Sequence, residues 1–180
     1  PILFLIGLAV GSFLNVLILR YAPERSVFSL ENLRGRSHCP HCGKILQWFE
    51  LVPILSYALQ GGRCRSCGER LTLQYPLIEF LSGAIFVALP FYFSKFYGFT
   101  SIFPAGALHR SYYAFLIIWI LVLLTWLLIS AIDLRHYLIP NELNTGLAAL
   151  GVILVAVKSL PSAWLLPFHS SFLRHYSLIF

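Results

Sequence analysis

At 180 residues the chain is 58% apolar and only 11% charged, against about 25% charged in an ordinary soluble domain. That deficit excludes a typical water-soluble domain and points to lipid as the solvent. The net charge is +6, and eight of the thirteen Lys and Arg fall between Arg20 and Arg70, beside apolar runs. This is the charge pattern of a membrane protein's inner loops, not of a nucleic-acid-binding face.

A membrane helix needs about 20 mostly apolar residues. The first candidate is residues 1–19. A signal peptide would show a basic start and a small-residue cleavage site; neither is present, so this helix is expected to stay. The chain starts at Pro1 and holds no Met, so further residues are expected ahead of it. Gly7, Gly11 and Asn15 recur every four residues and share one helix face. Small residues let another helix approach, and Asn can hydrogen-bond across the contact.

Residues 20–75 form the one long polar segment. Its eight basic residues face four acidic ones, Glu24, Glu31, Glu50 and Glu69, whereas residues 95–111 carry only Lys95 and Arg110. The asymmetry predicts a cytoplasmic loop at 20–75 and an outer loop at 95–111. Within the polar segment, residues 46–59 are apolar but short and contain Glu50 and Pro53, which predicts an interfacial or packed segment rather than a span.

The same segment holds all four cysteines, in Cys39-Pro-His-Cys42 and Cys64-Arg-Ser-Cys67, with 21 residues between the pairs. Zinc takes four ligands in a tetrahedron, and thiolates suit it. Each C-x-x-C turn brings two sulfurs to one side of the metal, and Gly43 and Gly68 fit the tight turn after each pair. Disulfides are disfavoured in a cytoplasmic loop, and a redox dithiol needs only one such pair on a thioredoxin-like scaffold. The reading is a closed structural zinc site without metal catalysis; His41 is the one alternative ligand inside a knuckle.

Three more apolar segments follow, at residues 76–93, 112–132 and about 143–160. Pro90 is expected to kink or end the first of these. Lys158 must reach the interface from the last. The tail, 161–180, is broken by Pro161, Pro167, His169, Arg174 and His175, and it is left unassigned. Two acids stand out. Glu79 falls one turn into the second span, where it either reaches water or serves a function. Asp133 follows 21 uncharged residues, and an acid there is by default a functional candidate; pairing with Arg135 or capping the next helix is the structural alternative.

At this point four motifs stand in a familiar order. They are GSFLNVLILR at residues 11–20, the pair CPHC and GRCRSCG with PILSY between them, YPLIE at 75–79, and AIDLRHYLIPNEL at 131–143. Together they resemble the prepilin peptidases, or type IV leader peptidases, bacterial inner-membrane aspartic proteases. The resemblance covers residues 7 to about 150. It implies removal of the leader from type IV prepilins and type II secretion pseudopilins at the cytoplasmic membrane face. It also implies N-methylation of the new terminus with S-adenosylmethionine in many members. Asp133 matches the first of the family's two catalytic aspartates, in the pattern D-x6-P-[DN], with Asn141 where many members carry Asp. The second aspartate belongs to a Gly-x-Gly-Asp motif that the 180 residues do not contain, so the chain is expected to be truncated before it and inactive alone.

The expected architecture is an all-α polytopic membrane protein of about four transmembrane helices. A small zinc-ribbon-like insert separates the first two. The parts are a first helix at 1–19, a four-Cys loop at 20–75, three helices with Asp133 at 76–160, and the tail. The alternative to a peptidase is a catalytically inactive, zinc-stabilised membrane assembly or adaptor protein.

Overall fold

The computed structural model describes residues 1–97 and 107–159, with side chains for 1–95 and 113–156. The tail and residues 98–106 of the expected outer loop lie outside the described residues. Among the described residues six α-helices follow in order: α1 Ile2–Arg20, α2 Leu30–Leu33, α3 Leu55–Leu59, α4 Gln74–Tyr97, α5 Ala107–His136 and α6 Asn141–Ser159. A 3-10 turn, Trp48–Leu51, precedes α3. Among the described residues there is no strand beyond two isolated bridges, His38 with Ile45 and Arg63 with Arg70.

Helices α1, α4 and α5 are long and apolar enough to cross a membrane, and the apolar part of α6, Asn141–Ala156, is shorter. The chain is a membrane protein and, among the described residues, has three such helices and a fourth that falls short of the full length. Large side chains cover their outer surfaces, among them Ile2, Leu5, Phe91, Trp126 and Val152, all more than 60% exposed. In water such a surface would be untenable; against lipid tails it costs nothing.

Helix α4 runs through Pro90 instead of ending there. Proline leaves one carbonyl without its helical donor, a loss that membrane helices tolerate. At about 1.5 Å per residue, the 30 residues of α5 exceed a hydrocarbon core of about 30 Å, so its ends project beyond the apolar layer. The helix also continues past Asp133, which sits in its last turn. Tyr137 N–H closes that turn on the Asp133 carbonyl at 2.8 Å, and Tyr137 leaves the helix with φ +54°.

The core lies where α1, α4 and α5 meet. Leu14, Leu17 and Ile18 of α1 pack with Ile78 of α4 and Leu128 and Ile132 of α5. The small-residue face of α1 is turned to α4, as its spacing predicts. A Cβ on Gly11 would lie 2.6 Å from Glu79 Cα, and one on Gly7 would lie 2.7 Å from Gly83 Cα. The two backbones therefore touch, and dispersion across that seam replaces the hydrophobic force that lipid does not supply. One turn on, Asn15 Nδ2 donates to the Tyr75 carbonyl at 3.0 Å, at the half-buried start of α4. Gly11→Leu is expected to force the helices apart and cost about 1–3 kcal/mol. A thermal melt in detergent checks this; an unchanged midpoint would mean the seam is looser than described.

Candidate functional site: a cysteine cluster and a braced helix junction

The two cysteine knuckles are built alike. In the first, Cys39 N–H donates to the Lys44 carbonyl and Gly43 N–H to the Cys39 carbonyl, both at 2.9 Å. In the second, Cys64 N–H donates to the Glu69 carbonyl and Gly68 N–H to the Cys64 carbonyl, again at 2.9 Å. Gly43 and Gly68 take φ of +69° and +70°, a left-handed conformation that glycine adopts without strain. The bridges His38–Ile45 and Arg63–Arg70 close each loop at its base.

These turns bring the four sulfurs of Cys39, Cys42, Cys64 and Cys67 within 4.8 Å of one another. Cys39 Sγ and Cys67 Sγ are 3.9 Å apart. A tetrahedron with metal–sulfur bonds of about 2.3 Å has sulfurs roughly 3.8 Å apart, so the donor set fits a tetrathiolate metal site. His41 is exposed and is not a member of the cluster.

The thiols are already unequal without a cation. Backbone N–H groups of Cys67 and Ser66 point at Cys64 Sγ and lower its pKa to about 6. For Cys67, the Glu69 N–H favours the thiolate. Burial and the three neighbouring cysteines outweigh it, and the pKa rises to about 11. Negative charge is thus welcome at one sulfur and resisted at another. A divalent cation at the centre removes that conflict by stabilising all four thiolates together.

Asp133 lies elsewhere, half-buried in the last turn of α5 next to fully buried Ile132. Among the described residues its carboxylate forms no ion pair with Arg135. The junction it occupies is held from the loop after α1. Glu142, in the first turn of α6, accepts from Ser26 Oγ at 2.9 Å and from Val27 N–H at 3.1 Å. Val27 is completely buried in the helix core. Asn32 Nδ2 donates to the Ser26 and Val27 carbonyls at 3.0 and 3.3 Å. Arg20 spans the loop by donating to the carbonyls of Asn32, Arg34 and Gly35. Tyr21 and His136 meet edge to face at 5.3 Å.

This brace was not read from the sequence. Its visible signal was the apolar pair Val27-Phe28 in the polar segment, together with the acid of the PNEL motif. Glu79 proves to be 7% exposed, and its Oε2 accepts from Ile54 N–H at 2.7 Å. It does not simply reach water. It ties α4 to the PILSY segment, where Ile54 holds φ +59°.

The family model described as the bacterial peptidase A24 N-terminal domain matches residues 5–93. A prepilin leader peptidase/N-methyltransferase of Myxococcus xanthus is 35% identical over 84% of this chain and 39% of its own length. Those of Pseudomonas aeruginosa and Legionella pneumophila are 36% and 31% identical, over 83% of this chain and 52% of their own lengths. The chain therefore spans about half the length of the relatives it matches. No solved structure matches it significantly. The matched region takes in α1, both cysteine knuckles and α4, and the relatives' alignments extend beyond it; the chain belongs to the prepilin peptidase family and carries that family's N-terminal domain.

Proposed function

We propose that the full-length protein is a membrane aspartic endopeptidase. It removes the leader from type IV prepilins or pseudopilins at the cytoplasmic face of the bacterial inner membrane, with Asp133 as one catalytic carboxylate. The observation that carries the reading is an Asp in the last turn of a membrane helix that forms no ion pair among the described residues, at a junction clamped by Glu142, Val27 and Asn32. A clamped junction holds an acid in one position at the membrane edge, where a leader meets its own apolar helix.

Aspartic chemistry takes two carboxylates. Held close together, they do not both ionise readily, so one keeps a proton. The ionised one activates water, the protonated one polarises the scissile carbonyl, and the pair titrates as a unit. Asp133 supplies one; the resemblance assigns the other to a Gly-x-Gly-Asp motif outside these 180 residues. Cys39, Cys42, Cys64 and Cys67 hold a structural zinc ion, which shapes the loop and takes no part in cleavage because four thiolates leave no open position. Methylation of the new terminus, with S-adenosylmethionine as donor, is a second activity of the same full-length protein; it is supported by the relatives' names and the resemblance.

The test of the peptidase reading is leader removal from a prepilin by full-length protein in proteoliposomes, with Asp133→Asn as the control. Orientation is tested separately. The basic excess of residues 20–75 predicts that a single cysteine at position 30, on a background without the native four, resists an impermeant reagent in intact cells. A cysteine placed at position 105 should react. Labelling of position 30 from outside would put Asp133 on the wrong face and overturn the reading.

A further inference from the structure

Residues 48–59 of the cysteine module are inside out for a segment in water. Their one acid, Glu50, is buried, with Gln47 N–H at 2.8 Å and Lys44 Nζ at 3.8 Å as partners. Tyr57 donates its hydroxyl to the Leu71 carbonyl at 3.2 Å. The large apolar side chains are the exposed ones: Trp48 and Leu59 by more than 70%, and Phe49, Leu51 and Leu55 as well. Two short helices present them in pairs. Trp48 and Leu51 are three apart on the 3-10 turn, and Leu55 and Leu59 are four apart on α3; each spacing puts the pair on one side of its helix. Exposed apolar surface of this kind marks a contact with protein or membrane.

Depth points to the membrane. Ile54 N–H donates to Glu79 Oε2, and Glu79 lies five residues inside α4, about 7 Å along the axis. A Cβ on Gly11 would touch Glu79 Cα, and Gly11 stands nine residues before the end of α1, about 13 Å along that axis. Ser12, Val16 and Leu19 of α1 line one cavity together with Leu51, Ser56 and Tyr57. The segment therefore lies alongside the last turns of α1, not beyond its end. Arg20, the first charged residue of the chain, marks where α1 leaves the apolar layer. Headgroup regions add about 10–15 Å in all to the hydrocarbon core, so a segment at this level meets headgroups and the tops of acyl chains.

Charge selects the lipid. From residue 33 to 73 the module carries six basic residues against two acidic ones, an excess that outlasts the negative charge of a zinc tetrathiolate. One cation from each knuckle stands on the segment itself: Lys44 at Glu50, and Arg65 with its guanidinium 5.3 Å over the Phe49 ring. A second copy of the chain would bring the same positive charge to the same face, which disfavours self-pairing. Aromatic rings beside Lys and Arg are interface anchors, and basic groups at this level are drawn to anionic lipids.

We infer that residues 48–59 anchor the cysteine module to the membrane surface. Trp48, Phe49, Leu51, Leu55 and Leu59 enter the top of the acyl layer, and Lys44 and Arg65 meet the phosphates of anionic lipids. The orientation given above makes this the cytoplasmic leaflet.

The experiment uses full-length protein, one copy per nanodisc, in phosphatidylcholine with or without phosphatidylglycerol. Trp48 emission is isolated as the difference between wild type and Trp48→Phe, which keeps an apolar ring. Lipid brominated near the headgroup end of its chains is expected to quench most of that emission, and aqueous acrylamide little of it. Phosphatidylglycerol should slow backbone hydrogen exchange across residues 48–59 about tenfold, the scale set by two cations at an anionic surface. Arg65→Gln should shrink that effect severalfold, with zinc content read alongside; if the variant loses zinc, the wild-type lipid comparison decides. Emission open to acrylamide and indifferent to brominated lipid overturns the anchor, as does emission shielded from both, which would mean burial against protein. Quenching by brominated lipid without an effect of phosphatidylglycerol overturns the assignment to anionic headgroups. Both faces of a nanodisc carry the same lipids and no cleavage is read, so neither the orientation nor the peptidase reading bears on the result.

Discussion

Cys64→Ser, or stripping the metal with a chelator, is expected to unfold the module between α2 and α4 while leaving the α1–α4 seam in place. Between residues 33 and 73 only Cys39, Glu50 and Cys64 are buried, so the module has no apolar core of its own. Its order comes from two knuckles, two isolated bridges and the four-sulfur cluster. Structural zinc contributes about 10–16 kcal/mol of apparent binding energy in small zinc-dependent folds, more than enough to decide whether a segment of this size is ordered. The seam needs no metal, because Gly7 and Gly11 bring α1 and α4 into direct backbone contact. Limited proteolysis checks both halves of the prediction. Cleavage within residues 40–72 should rise at least tenfold, by order of magnitude from that energy, while the membrane helices stay protected. Metal analysis of wild type should return about one zinc per chain, as a closed four-ligand site requires. Protein that carries no metal and resists protease in the module would overturn the zinc assignment.

Asp133→Asn in the full-length protein is expected to abolish leader cleavage with little change in stability or zinc content. The amide keeps the shape of the side chain but cannot take a proton from water. Loss of a general acid–base group typically costs about 10²–10⁴-fold in rate. Little stability should be lost, because the carboxylate has no ion pair among the described residues and because the clamp on this junction runs through Glu142 and Asn32. Rate, thermal midpoint and zinc content are read together. A variant that cleaves like wild type would remove Asp133 from the mechanism. One that loses activity, midpoint and zinc in parallel would make it a structural residue. On the proposed reading, in which Asp133 is one of two catalytic acids, the 180-residue chain alone is expected not to cleave; robust cleavage by it would place the second acid within these residues, with Glu79 the first candidate.

The membrane character, the helix order and the cysteine cluster were legible in the sequence because each depends on local information. Run length and hydropathy mark α1, α4 and α5, since a helix in lipid satisfies its own backbone and needs no partner to form. Two C-x-x-C pairs followed by glycine specify the knuckles, since turn geometry alone sets each pair of sulfurs. The four-residue spacing of Gly7, Gly11 and Asn15 marked a packing face, though not which helix it meets. Only the tertiary structure decided that α4 is the partner, that Asn15 spends its amide on the Tyr75 carbonyl, and that Glu79 turns to Ile54 instead of water. It also showed α4 continuing through Pro90, a break that membrane helices tolerate where neighbouring helices or local helix adjustment re-satisfy the freed carbonyl. The contact of Glu142 with Ser26 and Val27 joins residues 116 and 115 positions apart. No window of sequence contains such a pair, because it exists only after α1, α5 and α6 have packed and brought the loop after α1 to the first turn of α6.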